Sequence, residues 1–252
     1  MLLADLHIHT IMSGHAFCTI NECIETALNN EMALIAITDH GPSMEHSAHE
    51  GYFEMSARLP KRFGSLDVLF GCEANIINCN GVIDLSVDTM SVLDVVSAGL
   101  HKKTPYDGIS EADNTNAMIK AIEKYPGISM ISHPFRVEFP VSVEEVVYAS
   151  IEHNVLLEIN VALLTKVLIS PVNERSKKVI ERTATMIDIL QANKKGYLIN
   201  SDAHHTNEIG VNDSTIELLS KALGISREYI LNDNLDLLGV YIPSVNMRRL
   251  TE

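Results

Sequence analysis

Several of the 11 histidines in this sequence stand beside acids, at the ends of short apolar runs. The endings are Asp5-Leu6-His7-Ile8-His9, Thr38-Asp39-His40, Gly71-Cys72-Glu73, Gly99-Leu100-His101, Ser132-His133-Pro134 and Ser201-Asp202-Ala203-His204, with His15 a little beyond the first. Imidazole and carboxylate together suit zinc, manganese or iron, and zinc bonds to both at about 2.0–2.2 Å. A lone histidine is ordinarily a core or surface residue. His-x-His at a strand end says more, because alternate side chains of a strand share a face. His7 and His9 then point the same way, as do Asp202 and His204 if the strand reaches that far. Burying so many polar ends without partners would cost on the order of several kcal/mol each. Metal ligation explains them together: the candidate ligands are His7, His9, His15, His40, Glu73, His101, His133, Asp202 and His204. Cys18, Cys23, Cys72 and Cys79 form no C-x-x-C pair, so a thiolate site has little support.

The elements that must carry these residues alternate. Seven apolar runs read as strands: Leu2–His7, Ala33–Thr38, Val68–Glu73, Val95–Leu100, Ile128–Ser132, Val155–Asn160 and Tyr197–Ser201. They are apolar almost throughout, as strands covered on both faces must be. Helical stretches fall between them. Thr19 and Glu22 have capping-box spacing and open a helix to about Asn30. Others are expected from Asn114 to about Lys124, from Ser142 to near His153, from about Asn173 to Lys194 with Gly196 as the stop, from Asp213 to Leu223 and from Ser226 to Leu231. Asn80-Gly81 predicts a small hairpin, and residues 41–66 a long functional loop. Alternating strand and helix predicts a parallel sheet. Seven units favour an α/β class, closed or nearly closed barrel, read here as one domain over residues 1–252. In such barrels the site lies at the C-terminal ends of the strands, where the candidate ligands sit. The run ending in Glu158-Ile159-Asn160 is ambiguous.

The chain carries 33 acids against 19 bases, a formal charge of −14. That average surface repels a long polyanion, so nucleic acid is not expected as a partner; bound cations would still attract a small anion. No apolar run approaches the roughly 18 residues of a membrane span, and the first residues do not read as a signal peptide. The expected location is the cytoplasm, and oligomeric state is not readable.

These motifs resemble the polymerase and histidinol phosphatase (PHP) superfamily. The matches run from Asp5-Leu6-His7-Ile8-His9-Thr10 through Thr38-Asp39-His40-Gly41, Gly71-Cys72-Glu73, His101 and Ser132-His133-Pro134 to Ser201-Asp202-Ala203-His204, in the family's order, over about residues 4–205. Glu73-Ala74-Asn75-Ile76, Asp39-His40-Gly41-Pro42 and Asn114-Thr115-Asn116-Ala117-Met118 look like the small stand-alone phosphatases of that superfamily with a trinuclear site. The resemblance implies a distorted seven-stranded (β/α)7 TIM-like barrel holding three divalent ions, zinc first, with manganese or iron as alternatives. His7, His9, Glu73 and Asp202 would hold one, Glu73, His101 and His133 the second with Glu73 bridging, and His15, His40 and His204 the third. It implies a phosphatase cleaving a small phosphomonoester with a metal-activated water. Glu73 and Asp202 would act through the metals, with no nucleophilic side chain. A phosphodiesterase or nuclease, a histidinol-phosphate phosphatase and a non-catalytic metal-binding domain are the alternatives.

Around the ligands, Arg136, Lys102 and Asn160 are candidates for holding substrate. Asp5 and Asp39 are candidates for orienting ligand imidazoles from behind.

Overall fold

A computed structural model of the chain describes residues 1–169 and 173–249. Each apolar run forms a strand: β1 (Ala4–Ile8), β2 (Leu34–Ile37), β4 (Leu66–Asn75), β5 (Val95–Gly99), β6 (Met130–Ile131), β7 (Leu156–Asn160) and β8 (Leu198–Asn200), with a two-residue β3 (Arg62–Phe63) paired antiparallel to β4. The others pair in parallel in the order β1-β2-β4-β5-β6-β7-β8. A single parallel bridge between Ile8 and Ala203 brings the two edges together, and the result is a nearly closed barrel of seven parallel strands.

The interior is layered by strand parity. At the bottom, Ala4, Leu6, Leu34, Ala36, Leu69, Val95, Met130, Leu156 and Leu198 pack together. Stepping by two along a strand from these residues leads to polar ones: Leu69 to Glu73, Leu156 to Glu158 and Asn160, Leu198 to Asn200 and Asp202. Along β1 the parity changes. The register with β2 is irregular between Asp5 and Ile8; Leu6 belongs to the interior cluster, while Ile8 packs outward with Cys23, Ile24 and Ala27. His7 and His9 are thereby released toward the upper layer.

Helices cover the outside: α1 (Ile20–Asn29), α2 (Glu50–Glu54), α3 (Val87–Val92), α4 (Glu111–Lys124), α5 (Val143–His153), α6 (Val161–Ile169), α7 (Glu174–Ala192), α8 (Asp213–Leu223), α9 (Leu235–Tyr241) and α10 (Pro243–Arg249). Thr19 and Glu22 close the expected capping box on α1. Leu238 of α9, Ile242 between the two helices and Val245 of α10 plug the barrel's lower mouth. No described helix is long and apolar enough to cross a membrane.

Some boundaries differ from expectation. Helix α4 starts at Glu111, because Ser110 and Asp113 form a capping box ahead of Asn114. Helix α7 ends before Gly196, the chain turning at Lys194 with φ 54°. Residues 226–231 hold short 3-10 turns. The hairpin at Asn80-Gly81 is reduced to one antiparallel bridge, Ile76 to Ile83. The loop over 41–66 contains α2, a 3-10 turn and β3.

Below the Ile8–Ala203 bridge the seam between β1 and β8 is held by side chains. Asn232, fully buried, accepts from Ile199 N at 2.8 Å and donates to Ala4 O and Asn200 Oδ1, each at 3.0 Å. Asn200 Oδ1 in turn accepts from Leu6 N at 3.1 Å. Asn232→Ala leaves at least two buried backbone groups without partners, each costing about 1–3 kcal/mol. A loss of about 3 kcal/mol is expected in urea unfolding, seen as a lower midpoint at constant slope; an unchanged midpoint would show that the seam does not need this amide.

Candidate metal centre

The upper ends of the strands open into a cleft of about 400 Å³, lined among others by His15, His40, His101, His133, Asp202 and His204. Deeper, Glu73, His7 and His9 are fully buried. The nine candidate ligands therefore surround one space. His15 comes from the loop after β1, and its ring centroid lies 5.0 Å from His40 and 4.9 Å from His204.

Glu73 is the hub. Its Oε2 faces His40 Nδ1 at 2.9 Å, His7 Nε2 at 3.3 Å and His9 Nε2 at 3.4 Å. Its Oε1 faces His133 Nε2 at 2.8 Å and His101 Nε2 at 3.0 Å. Burial alone would raise this carboxyl's pKa, but the imidazoles of His101, His7, His40 and His133 outweigh it and hold it well below the usual range.

The imidazoles are oriented from behind. His7 Nδ1 lies 2.8 Å from Glu158 Oε1, which fixes a hydrogen on Nδ1 and aims Nε2 at the cleft. Ser13 Oγ gives its hydrogen to Asp39 Oδ1 at 2.6 Å, so at 2.9 Å from His9 Nδ1 it must accept; His9 likewise turns Nε2 inward. His204 Nδ1 donates to Asp202 O at 2.9 Å, leaving its Nε2 free. Asp202 offers Oδ1 to His9 Nε2 at 3.2 Å, while Asn160 holds Oδ2 at 3.1 Å.

This donor set fits divalent cations. His7 Nε2 and His9 Nε2 approach to 3.0 Å, and His101 Nε2 and His133 Nε2 to 3.2 Å, contacts that require a proton or a metal ion between the nitrogens. His101 Nδ1 is buried without a hydrogen-bond partner, and the 2.9 Å approach of His40 Nδ1 to Glu73 Oε2 lacks hydrogen-bond geometry. Burial pushes His101 down to about 4, His133 and Arg136 adding to it against Glu73. Burial likewise lowers His40 and His204, so these rings are neutral and able to donate a lone pair. At His7 burial is outweighed by Glu158, Glu73 and Asp202, which together demand positive charge there. Among the described residues, three groups have ligand atoms close enough to share an ion: His7, His9 and Asp202; His9, His40 and His204; and His40, Glu73 and His101. The backbone is strained at two of the nine, His133 with φ 31° and Asp202 with φ 57°. Such conformations cost about 1–3 kcal/mol and gather at functional sites.

The remaining candidates fall in different places. Arg136 and Lys102 line the cleft. Asn160 does not present its amide to open space: it donates to Glu158 and Asp202 and accepts from Leu163 N at the start of α6. Asp39 reaches His9 through Ser13 and also accepts from Tyr52 Oη at 2.8 Å. Asp5 accepts from the backbone N–H groups of His7, Ser201 and Gly210 at 3.3, 3.1 and 2.9 Å, so it ties the two seam strands rather than an imidazole. Glu158 escaped the reading of the sequence. It is buried mid-strand and accepts from His7, His133 N, Asn160 and Asn200. The signal was an acid inside an apolar run, which must find partners.

The PHP domain model matches residues 5–201. A probable phosphatase of Clostridium botulinum is 34% identical over 232 residues, spanning 92% of this chain and 90% of that protein. A probable phosphatase of Shewanella piezotolerans is 36% identical over 233 residues, 91% and 89% of the two chains. Among solved structures, the histidinol phosphate phosphatase of Lactococcus lactis, complexed with zinc, L-histidinol and phosphate, superposes with a TM-score of 0.57 at 16% identity, covering 88% of this chain and 94% of that one. At that identity the likeness concerns the fold.

Proposed function

The chain belongs to the PHP domain family, and from that premise we propose that it is a metal-dependent phosphatase hydrolysing a small phosphomonoester at a trinuclear centre. The observation that carries the reading is the division of Glu73, one oxygen toward His7, His9 and His40 and the other toward His101 and His133. A carboxylate so placed suits a bridge between two ions. His7, His9, Glu73 and Asp202 would hold the first, Glu73, His101 and His133 the second, and His15, His40 and His204 the third, zinc being favoured over manganese or iron. His40 also faces Glu73, so its neutral ring lies within reach of both groups. The relatives named probable phosphatases over nine-tenths of their length support the reaction class.

Bound there, divalent ions would supply Lewis acidity to the phosphoryl oxygens and lower the pKa of water toward about 7. The protein's own groups do the rest. Glu158, Ser13 and the Asp202 carbonyl hold His7, His9 and His204 in fixed tautomers, so the donors need little rearrangement. Asn160 keeps one Asp202 oxygen turned inward. Arg136 and Lys102, on the cleft wall, would hold the phosphate against the centre and neutralise charge on it as the ester bond breaks. The fully buried floor excludes bulk water beneath the reacting group, which strengthens each of these interactions.

Purified protein is expected to carry close to three divalent ions per chain by elemental analysis. It should release phosphate from 4-nitrophenyl phosphate, lose that activity on chelation and regain it with zinc or manganese. Metal near zero after supplementation, with no effect of chelator, would overturn the proposal.

A further inference from the structure

Beyond Arg136, which also lines the cleft, lies a second cavity of about 320 Å³. Its walls include Glu138, Lys166 and Arg175, with Val167 and Val179 as apolar surface. Glu138 is the single acid lining it among the described residues, and three cations approach that one carboxylate: Arg175 Nη2 at 2.6 Å, Lys102 Nζ at 3.7 Å and Arg136 Nε at 4.0 Å. Lys166 adds a fourth positive charge, with no ion pair among the described residues. Arg136 Nε is buried and has no hydrogen-bond acceptor. One carboxylate cannot neutralise four cations, and gathering them costs electrostatic energy. They are gathered even though the chain's net charge is −14.

The reacting phosphate accounts for Arg136 and Lys102 on the cleft wall, but not for Arg175 and Lys166, which line only the second cavity and together exceed the single charge of Glu138. We infer that the cavity receives a second anionic group of the substrate, a carboxylate or phosphate joined to the phosphomonoester through a short apolar spacer that lies against Val167 and Val179. The inference rests on the phosphatase reading above and narrows it to doubly anionic substrates. Arg175 and Lys166 would hold the remote anion, and Arg136, shared by both cavities, would lie between the two charges.

The test uses the metal-loaded full chain and matched series of n-alkyl phosphates, the same chains ending in a carboxylate, and the corresponding terminal bisphosphates. The best-fitting doubly anionic member is expected to exceed its uncharged counterpart in kcat/KM by roughly tenfold or more, the gain from one charge-assisted contact, and the difference should appear in KM. In Arg175→Ala/Lys166→Ala the ratio should fall toward one. Both substrates are read on one preparation, so any loss of folded protein cancels. Arg175→Glu should push the ratio below one. At about 1 M salt, where screening acts within roughly 3 Å, the preference should shrink. Superiority of the bisphosphates would assign a phosphate to the cavity; parity with the carboxylates would assign an anion of either kind. A ratio near one in the unaltered protein, or a ratio untouched by the double substitution, would overturn the second site while leaving the phosphatase reading intact. Failure to hydrolyse any member would overturn both.

Discussion

Glu73→Gln is expected to lose turnover of an aryl phosphate by roughly 10³-fold or more, several kcal/mol of transition-state stabilisation at about 1.4 kcal/mol per tenfold. The side chain is fully buried and faces five imidazoles through two oxygens. Glutamine keeps the shape and removes the charge, and its amide nitrogen directs hydrogens at rings that present lone pairs. Metal content should fall by at least one equivalent per chain. The fold should survive, because the replaced group is isosteric and the lower barrel layer is untouched. A metal-replete Glu73→Gln protein with near-normal turnover would sink the bridging role.

Glu158→Gln should act on metal affinity more than on the reaction. Glu158 touches none of the space where ions would sit; it holds His7 Nδ1 at 2.8 Å and His133 N at 2.8 Å. Loss of such an outer carboxylate typically costs 10–100-fold in affinity or activity. The expected result is a metal titration shifted by about that factor, with most of the kcat regained at saturating metal. Glu158→Ala should be worse and also less stable, since four buried donors lose their acceptor. A variant whose turnover stays low at saturating metal with an unshifted titration would place Glu158 in the reaction itself.

The strands were legible because each is a run apolar almost throughout, and the barrel followed from their number and alternation with helices. The upper residues were legible because they terminate those runs: Glu73, His101 and Asp202 lie two or more steps beyond interior apolar positions of the same strand. Glu158 was not, because it stands inside its run, and nothing local says which of the other six strands supplies its partners. His7, His133 and Asn200 come from three other strands or strand ends, and Asn160 from the end of its own. Asn160 reads as a cleft residue until the start of α6 is seen to use its carbonyl oxygen. That helix was hidden because Val161 to Ile169, interrupted only by Thr165 and Lys166, resumes the apolar character of β7 directly after Asn160. Helix α4 was placed late because its cap uses aspartate where the usual box has glutamate or glutamine. Asp5 stands next to the ligands in sequence, yet its oxygens meet backbone from residues 201 and 210, contacts that depend on barrel closure.

The seam amide has a consequence for the order in which the molecule is made. Asn232 bonds Ala4 across 228 positions of chain, so the ring of strands is not held closed at this seam until the chain has been made past residue 232. Asn200, held by Asn232, also donates to Glu158, the acceptor for His7. An unfinished chain thus contains most of the candidate ligand side chains without the frame that aims them. Loading with metal would then follow ring closure, because a partly synthesised chain would offer no well-formed site to compete for scarce ions.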